Sequence, residues 1–257
     1  MTVTRQDFED AIAAYWDAKQ LQSEQSALKA RLKAAAEAAV QAALDTAVGI
    51  DKSASVRGGK HFDAIAILLA KFFLDAGYPP ESIRISKKQG LELPGYYRPQ
   101  KQWDLVVVHD GVLVAAFELK ALGAPSFSNN YNNRVEEALG SAVDLRRAAL
   151  ADLYPREKPW LGYFFIMEDA GGSRRPVNIA EGALPADSIW YGTSYQDRFG
   201  IFCERLVAEQ LYDAACYVTS SAENPKPVEL VNSLDWRHFS AAINARLTYL
   251  KELGFPG

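Results

Sequence analysis

The chain has 257 residues, of which 49% are hydrophobic and 23% are charged, and its formal net charge is −4. This composition is typical of an ordinary globular protein and argues against a disordered or fibrous chain. Its two cysteines have no Cys-x-x-Cys spacing and no histidine companion, which disfavours a disulfide framework or a zinc site. No apolar run reaches membrane-spanning length and the N-terminus lacks a signal-peptide core, so we expect a cytoplasmic protein without a membrane partner.

A first helix is predicted over residues 5–48, a stretch that is free of proline and glycine. The apolar side chains of its first half share one face: Phe8, Ile12, Tyr15 and Trp16. The pattern weakens further on, so a break is predicted near residues 23–26. Because thinly apolar helices pack on a partner or on the protein body, we expect residues 1–50 to form a helical region for packing or dimerisation. Residues 51–257 are then expected to form one α/β domain.

A second helix is predicted from Phe62 to Ala76. The Gly58-Gly59-Lys60 run before it lacks the spacing of a phosphate-binding loop. Asp63 lies near the helix N-terminus, where the helix dipole favours a carboxylate. We therefore place a capping role for Asp63 ahead of a role as a metal ligand.

The segment between residues 84 and 101 is strongly basic, although the chain as a whole is acidic. Against Glu92 it carries five basic residues: Arg84, Lys87, Lys88, Arg98 and Lys101. A local positive surface can bind the phosphates of DNA in a protein that is acidic overall. We predict backbone contacts for Lys87, Lys88, Arg98 and Lys101; a solvated basic loop is the alternative.

Two apolar strands flank Asp110-Gly111, and such a pair between β-branched runs predicts an antiparallel hairpin. The first strand begins at Asp104, and the second ends with Glu118 and Lys120. A hairpin returns to its starting edge, so these three polar side chains gather at one edge of the sheet.

Whether they share a face depends on the turn. Glu118 and Lys120 are two residues apart and point the same way. A two-residue turn would direct Asp104 to the opposite face. A three-residue loop over residues 109–111, with Gly111 left-handed, directs Asp104 to the same face, and we predict this loop.

Two carboxylates beside a lysine suit a hard cation and chemistry at phosphate. Mg²⁺ takes oxygen ligands, and a phosphate can complete its shell. The lysine can orient or deprotonate a water molecule, or stabilise charge on phosphate. A solvated strand end is the alternative, although strands this apolar are expected at the centre of a sheet, with charges only at their ends.

A cluster of polar residues follows the hairpin: Asn129, Asn130, Asn132, Asn133 and Arg134. A helix is predicted after it, from Val135 to Leu150. Asn and Arg pair bidentately with adenine and guanine edges in the major groove, so we favour DNA contact for the cluster. Turn and capping chemistry is the alternative for each asparagine.

Three further elements are predicted towards the C-terminus. They are a strand over Trp160 to Met167, a helix from Ser194 to about Cys216, and a terminal helix from Asp235 to Leu250. Together these elements predict an α/β fold with a mixed central sheet flanked by helices.

These motifs resemble a known family. The hairpin is similar to the Asp…Glu-x-Lys core of the restriction-endonuclease-like PD-(D/E)xK nucleases, with Trp103 where proline is frequent. The runs Leu-Pro-Gly-Tyr-Tyr-Arg-Pro at 93–99, Gly-Ala-Pro-Ser-Phe at 123–127 and Asn-Asn-Tyr-Asn-Asn-Arg-Val-Glu-Glu at 129–137 resemble the XhoI family of type II restriction endonucleases.

The resemblance implies a restriction-endonuclease-like fold and magnesium-dependent double-strand cleavage of the palindrome CTCGAG after its first C. It implies Mg²⁺ ligands at Asp104, Glu118 and the Leu119 carbonyl, with Lys120 positioning or activating water. A palindromic site suits a homodimer on double-stranded DNA, and a cognate DNA methyltransferase is the expected genetic partner. The alternatives are a structure-specific or non-specific nuclease of the same fold, or a catalytically inert DNA-binding module.

Overall fold

The computed structural model describes residues 3–44, 60–85, 90–154 and 156–256, with the side chains of the first helix described up to residue 31. The helices are α1 (Arg5–Leu44), α2 (Asp63–Asp75), α3 (Phe127–Leu150), the short α4 (Gly171–Arg174), α5 (Tyr195–Ala208) and α6 (Trp236–Glu252). The strands are β1 (Ile83–Arg84), β2 (Glu92–Pro94), β3 (Gln100–Gln102), β4 (Leu105–His109), β5 (Val112–Leu122), β6 (Leu161–Glu168) and β7 (Ala214–Ser220).

A five-stranded mixed sheet lies at the centre, in the order β1-β4-β5-β6-β7, and β2 pairs with β3 in a separate two-stranded sheet. The first three central strands are antiparallel, and β5, β6 and β7 are parallel. One face packs against α1, α2 and α6, and the other against α3 and α5. The predicted α/β architecture is confirmed, and both faces of the central strands are buried.

The loop predicted for the β4–β5 hairpin is wrong. His109 pairs with Val112, so the turn contains only Asp110 and Gly111, and both have positive φ (48° and 75°). This is the geometry of a type I′ turn, which Asp-Gly favours because its twist matches that of the strands. The register then shifts by one residue, since Val108 pairs with Leu113 but Val107 pairs with Ala115.

This shift is a β-bulge that leaves Val114 without a partner on β4. Val114 and Ala115 consequently face the same core, beside α6, although they are consecutive residues. A bulge leaves ladder groups unpaired, and the buried Arg246 of α6 donates its Nε–H to the Val114 carbonyl at 3.2 Å. The bulge brings Asp104 onto the face of Glu118, which is the outcome that a longer loop had been expected to produce.

Helix α1 is continuous to Leu44, so the predicted break near residues 23–26 is absent. Its predicted apolar face is buried in the same core as α2 and α6. Phe8 stacks on Trp236 with ring centroids 4.5 Å apart, and Trp16 Nε1–H donates to Ser220 Oγ at 2.8 Å. The start of α1 is therefore part of the protein body; its role in dimerisation stays a prediction.

Two other boundaries differ from the prediction. The helix predicted to reach Cys216 ends at Ala208, and β7 follows from Ala214. All seven residues of β7 are buried, and a fully buried strand lacks the alternation that separates strand from helix. Helix α3 begins at Phe127 instead of Val135, so the asparagine-rich run is helical. None of the described helices is both long and apolar enough to span a membrane.

Candidate active site

Asp104, Glu118 and Lys120 lie in one cleft of about 540 Å³ at the end of the hairpin. The sheet forms its floor, and the middle of α3, from Arg134 to Ser141, forms one wall. Its lining also includes His61, Phe62, Arg98, Lys101, Leu119, Ala121, Arg134, Glu136, Glu137, Gly140 and Ser141. The structure thus brings together the three residues that the sequence predicted to meet, and Asp63 does not line this cleft.

Asp104 is fixed to β5 by both its backbone and its side chain. Its N–H donates to the Phe117 carbonyl at 3.1 Å, and its Oδ2 accepts the Leu119 N–H at 2.8 Å. The side chain remains partly open to the cleft. Burial, helped by the charge of Glu118, raises the pKa of Asp104 against the opposing effect of Lys120.

Glu118 is the most deeply buried charged group of the cleft, with 3% of its surface exposed. Lys120 Nζ lies 2.5 Å from its Oε1, and Lys101 Nζ contacts its Oε2. Burial opposes ionisation, but the two ammonium groups outweigh it and hold the pKa of Glu118 below its usual value. The fold therefore assembles a charged cluster in which a buried carboxylate has two cationic partners. The alternative prediction, a solvated strand end, is not what the structure shows.

The pKa values of the two lysines of the cluster shift in opposite directions. Burial lowers the pKa of Lys120, but Glu118 and Asp104 (3.4 Å from Nζ) reverse this effect, so the net shift is upwards. For Lys101, burial is the largest influence and the net shift of the pKa is downwards. Lys120 is consequently held as an ammonium donor, which suits it to orient water or to stabilise phosphate charge.

Lys101 was predicted to contact the DNA backbone, and its contact with Glu118 was not anticipated. Only 12% of its side chain is exposed, and its Nζ lies 4.1 Å from the centre of the Trp103 ring. The contact arises because the β2–β3 sheet carries Lys101 over the end of β5. The periodicity of the sequence does not indicate how the two sheets pack against each other.

The donor set of the cleft fits a hard divalent cation. Asp104 and Glu118 supply carboxylate oxygens, which Mg²⁺ prefers. The N–H and carbonyl of one strand residue point to the same side, so the Leu119 carbonyl also faces the side on which Asp104 accepts its N–H. Among the described residues, no three His, Cys, Asp or Glu side chains cluster as a metal site, so the backbone oxygen would be needed as the third protein ligand.

The β2–β3 hairpin presents its tip at the cleft through Arg98. Asp144 of α3, which is buried, accepts the N–H groups of Tyr96 and Tyr97 at 2.7 and 2.8 Å and Arg98 Nε–H at 2.7 Å. A Cβ atom at Gly95 would lie 2.5 Å from Asp144 Oδ2, so only glycine allows this approach. The tip is therefore clamped to α3, with both tyrosine side chains exposed.

The asparagine-rich run occupies the first two turns of α3. Asn129, Asn132 and Asn133 are exposed, and Asn130 is half-buried. The N-cap of the helix is Ser126, so none of the four caps it. Asn is unfavourable within helices, so local stability does not explain four of them here.

The predicted basic surface is divided by the fold. Arg98 and Lys101 line the cleft, as does Arg134, which donates to the Ala121 carbonyl at 3.3 Å and pairs with Glu137 at 2.5 Å. Arg84 belongs to β1. Lys87 and Lys88 lie outside the described residues.

All the residues that line the cleft lie within the part of the chain that matches a known protein family. The model of the family described as "Restriction endonuclease XhoI" matches residues 44–230. The chain is 37% identical over 175 residues to the type II restriction enzyme BstVI of Geobacillus stearothermophilus, covering 66% of this chain and 77% of that protein. It is 37% identical over 158 residues to the type II restriction enzyme XhoI of Xanthomonas vasicola, covering 60% of this chain and 62% of that protein.

A shorter match is 47% identical over 90 residues to the type II restriction enzyme AbrI of Azospirillum brasilense, covering 35% of this chain and 40% of that protein. No solved structure matches the chain significantly.

Proposed function

This chain belongs to the XhoI family of restriction endonucleases, and on that basis we propose that it makes magnesium-dependent double-strand cuts in DNA at CTCGAG, after the first C. The observation that carries the chemistry is the cluster of Asp104, Glu118 and Lys120 in one cleft within the matched region. The sequence CTCGAG follows from the resemblance to the family alone. We propose residues 51–257 as the catalytic domain.

We assign the metal to Asp104, Glu118 and the Leu119 carbonyl. When bound there, Mg²⁺ would act as a Lewis acid that polarises the reacting phosphate. Leu119 N–H holds the Asp104 carboxylate in place, so one residue would orient one ligand through its amide and provide another through its carbonyl. Glu118 is buried, and a lysine ammonium group contacts each of its carboxylate oxygens.

Lys120 acts as a hydrogen-bond donor in this proposal. Glu118 and Asp104 raise its pKa against the effect of burial, and its Nζ lies beside both carboxylates. As an ammonium ion it can hold the attacking water in line with the phosphorus or stabilise the charge that develops on the phosphate. It therefore contributes through orientation and charge.

Sequence recognition is assigned to the first two turns of α3. This segment follows the catalytic strand after a short loop, and its Arg134 reaches into the cleft. The four asparagines do not line the cleft, but the exposed amides that precede Arg134 on the helix can enter the adjacent groove and pair with base edges. Arg98, at the cleft mouth, is assigned to a backbone phosphate, as are Lys87 and Lys88.

A palindrome has two-fold symmetry, and a symmetric dimer reads both of its halves with one set of residues. We therefore extend the proposal to a homodimer. An enzyme of this kind requires protection of its host DNA, so a methyltransferase of the same specificity completes the proposed system.

Plasmid cleavage tests the proposal directly. The purified protein should cut a plasmid that contains a single CTCGAG once, with Mg²⁺ and not with EDTA, and should leave a plasmid with the scrambled site intact. Glu118→Ala and Lys120→Ala should each lower the single-turnover rate by at least roughly a hundredfold, because each removes a charge used at the reacting phosphate. Glu252→Ala and Lys71→Ala, which lie outside the cleft, are the matched controls.

Discrete cutting at another sequence would overturn the assigned site and keep the enzyme class. Cleavage at scattered positions would favour a non-specific nuclease. Cleavage at near wild-type rate by either cleft variant would show that the active site lies elsewhere.

A further inference from the structure

The active-site cluster carries more positive charge than a metal site built from two carboxylates needs. Asp104 and Glu118 contribute two negative charges, and Lys101 and Lys120 contribute two positive ones, so the four groups are formally neutral. Lys120 contacts both carboxylates, whereas Lys101 contacts only Glu118. Each oxygen of Glu118 is occupied by a different ammonium group.

Lys101 is held in this position by more than the carboxylate. Its Nζ donates to the Gln102 carbonyl at 3.0 Å and lies over the Trp103 ring, which is itself buried. The ammonium therefore sits among a carboxylate, a carbonyl and a ring face, which are three surfaces that attract a cation. A divalent cation at Glu118 Oε2 would need the same position.

We propose that Lys101 is a positioning residue that occupies the metal's place on Glu118 in the metal-free protein and transfers to a DNA phosphate when the metal binds. This inference rests on the proposed metal-dependent function. Arg98 and Lys101 line the same cleft, so the flexible lysine stem can carry the ammonium from Glu118 towards a bound phosphate. The positive charge of the displaced Lys101 ammonium would then be neutralised by a phosphate of the substrate instead of being left in a buried site.

The exchange couples metal binding to DNA binding. Without DNA, a divalent cation must displace an ammonium ion and leave the cleft with a net charge of +2. With DNA, phosphate charges offset this excess, so the metal binds more tightly. Coupling of this kind is reciprocal, so the metal strengthens DNA binding by the same factor.

Lys101→Met tests the inference, because methionine preserves much of the side-chain volume and removes the charge. Titration calorimetry with Mg²⁺ and with Ca²⁺, without DNA, should show at least tenfold tighter binding than in the wild type. With Ca²⁺ and a cognate duplex that is verified to stay intact, the coupling between metal and DNA should fall by a similar factor. Lys101→Gln should behave alike, Lys101→Arg should retain the coupling, and Lys71→Met is the matched control.

Metal affinity that is unchanged or weaker in folded Lys101→Met and Lys101→Gln would overturn the inference, since a purely structural lysine would lower the melting temperature without strengthening metal binding. Failure of the proposed function looks different. In that case the wild type would not cut DNA with Mg²⁺. It would also show no metal binding that is lost in Glu118→Ala. If the wild type cuts DNA but the Lys101 variants bind the metal with unchanged affinity, only the proposed role of Lys101 is rejected.

Discussion

Replacing Asp144 with asparagine should loosen the tip of the β2–β3 hairpin and reduce the stability of the protein. One oxygen of Asp144 accepts two backbone N–H groups and the other accepts Arg98 Nε–H. Asparagine can retain the first two bonds with its carbonyl oxygen, but its NH₂ group then faces the Arg98 donor. The variant keeps the shape of the side chain and loses its charge and its third bond.

The size of the loss follows from burial. A hydrogen bond to a charged group contributes about 1.5–3 kcal/mol, against about 0.5–1.5 kcal/mol for a neutral one. The Arg98 pair is discounted to about 0.5–1 kcal/mol because the arginine side chain is substantially exposed. Weakening two bonds by about 1 kcal/mol each and losing the third gives about 3 kcal/mol, measurable by urea unfolding near neutral pH. Asp17→Asn, at an exposed position of α1, is the matched control.

The pH dependence provides a second, independent measurement. Burial would raise the pKa of Asp144, but the Tyr97 and Tyr96 amides and Arg98 outweigh it and lower the pKa. A carboxyl group with a lowered folded-state pKa stabilises the protein above its unfolded-state pKa, and that contribution is lost as the pH falls through the folded-state value. The difference in the free energy of unfolding between the wild type and Asp144→Asn should therefore shrink below about pH 4. Equal stability at neutral pH, or a difference that grows in acid, would refute the assigned role.

Two further predictions concern α3 and the bulge. Asn133→Ala should leave the free energy of unfolding within about 0.5 kcal/mol, because the side chain is exposed. It should reduce the ratio of cognate to random duplex affinity about ten- to a hundredfold in competition binding with Ca²⁺; an unchanged ratio would remove it from base recognition. Arg246→Met should cost about 2–3 kcal/mol in urea unfolding, since it leaves the buried Val114 carbonyl without its charged donor. A loss no larger than that of Arg237→Met, at an exposed position of the same helix, would contradict this role.

The sequence predicted the architecture and the meeting of Asp104, Glu118 and Lys120, because Asp-Gly between two apolar runs is a strong local signal. It misplaced the turn because the run Val112 to Phe117 is apolar throughout, and a bulge inside such a run leaves no trace in the pattern. Lys101 was misassigned for a different reason: its contact with Glu118 depends on how two separate sheets pack. The asparagine-rich run was read as non-helical because its propensity is poor, and the surrounding structure overrides that preference.

The bulge at Val114 also bears on how hairpin length can vary between relatives. A strand has only two faces, so adding one residue to a regular hairpin would invert every side chain beyond it, including Asp104 relative to Glu118. In this chain the extra residue is absorbed at a single point, where Arg246 takes up the freed carbonyl. A hairpin shorter by that one residue, with uninterrupted pairing, would present the same two carboxylates to each other. The fold therefore cancels the insertion of one residue locally, and the edge of the sheet that carries Asp104 and Glu118 keeps both side chains on one face.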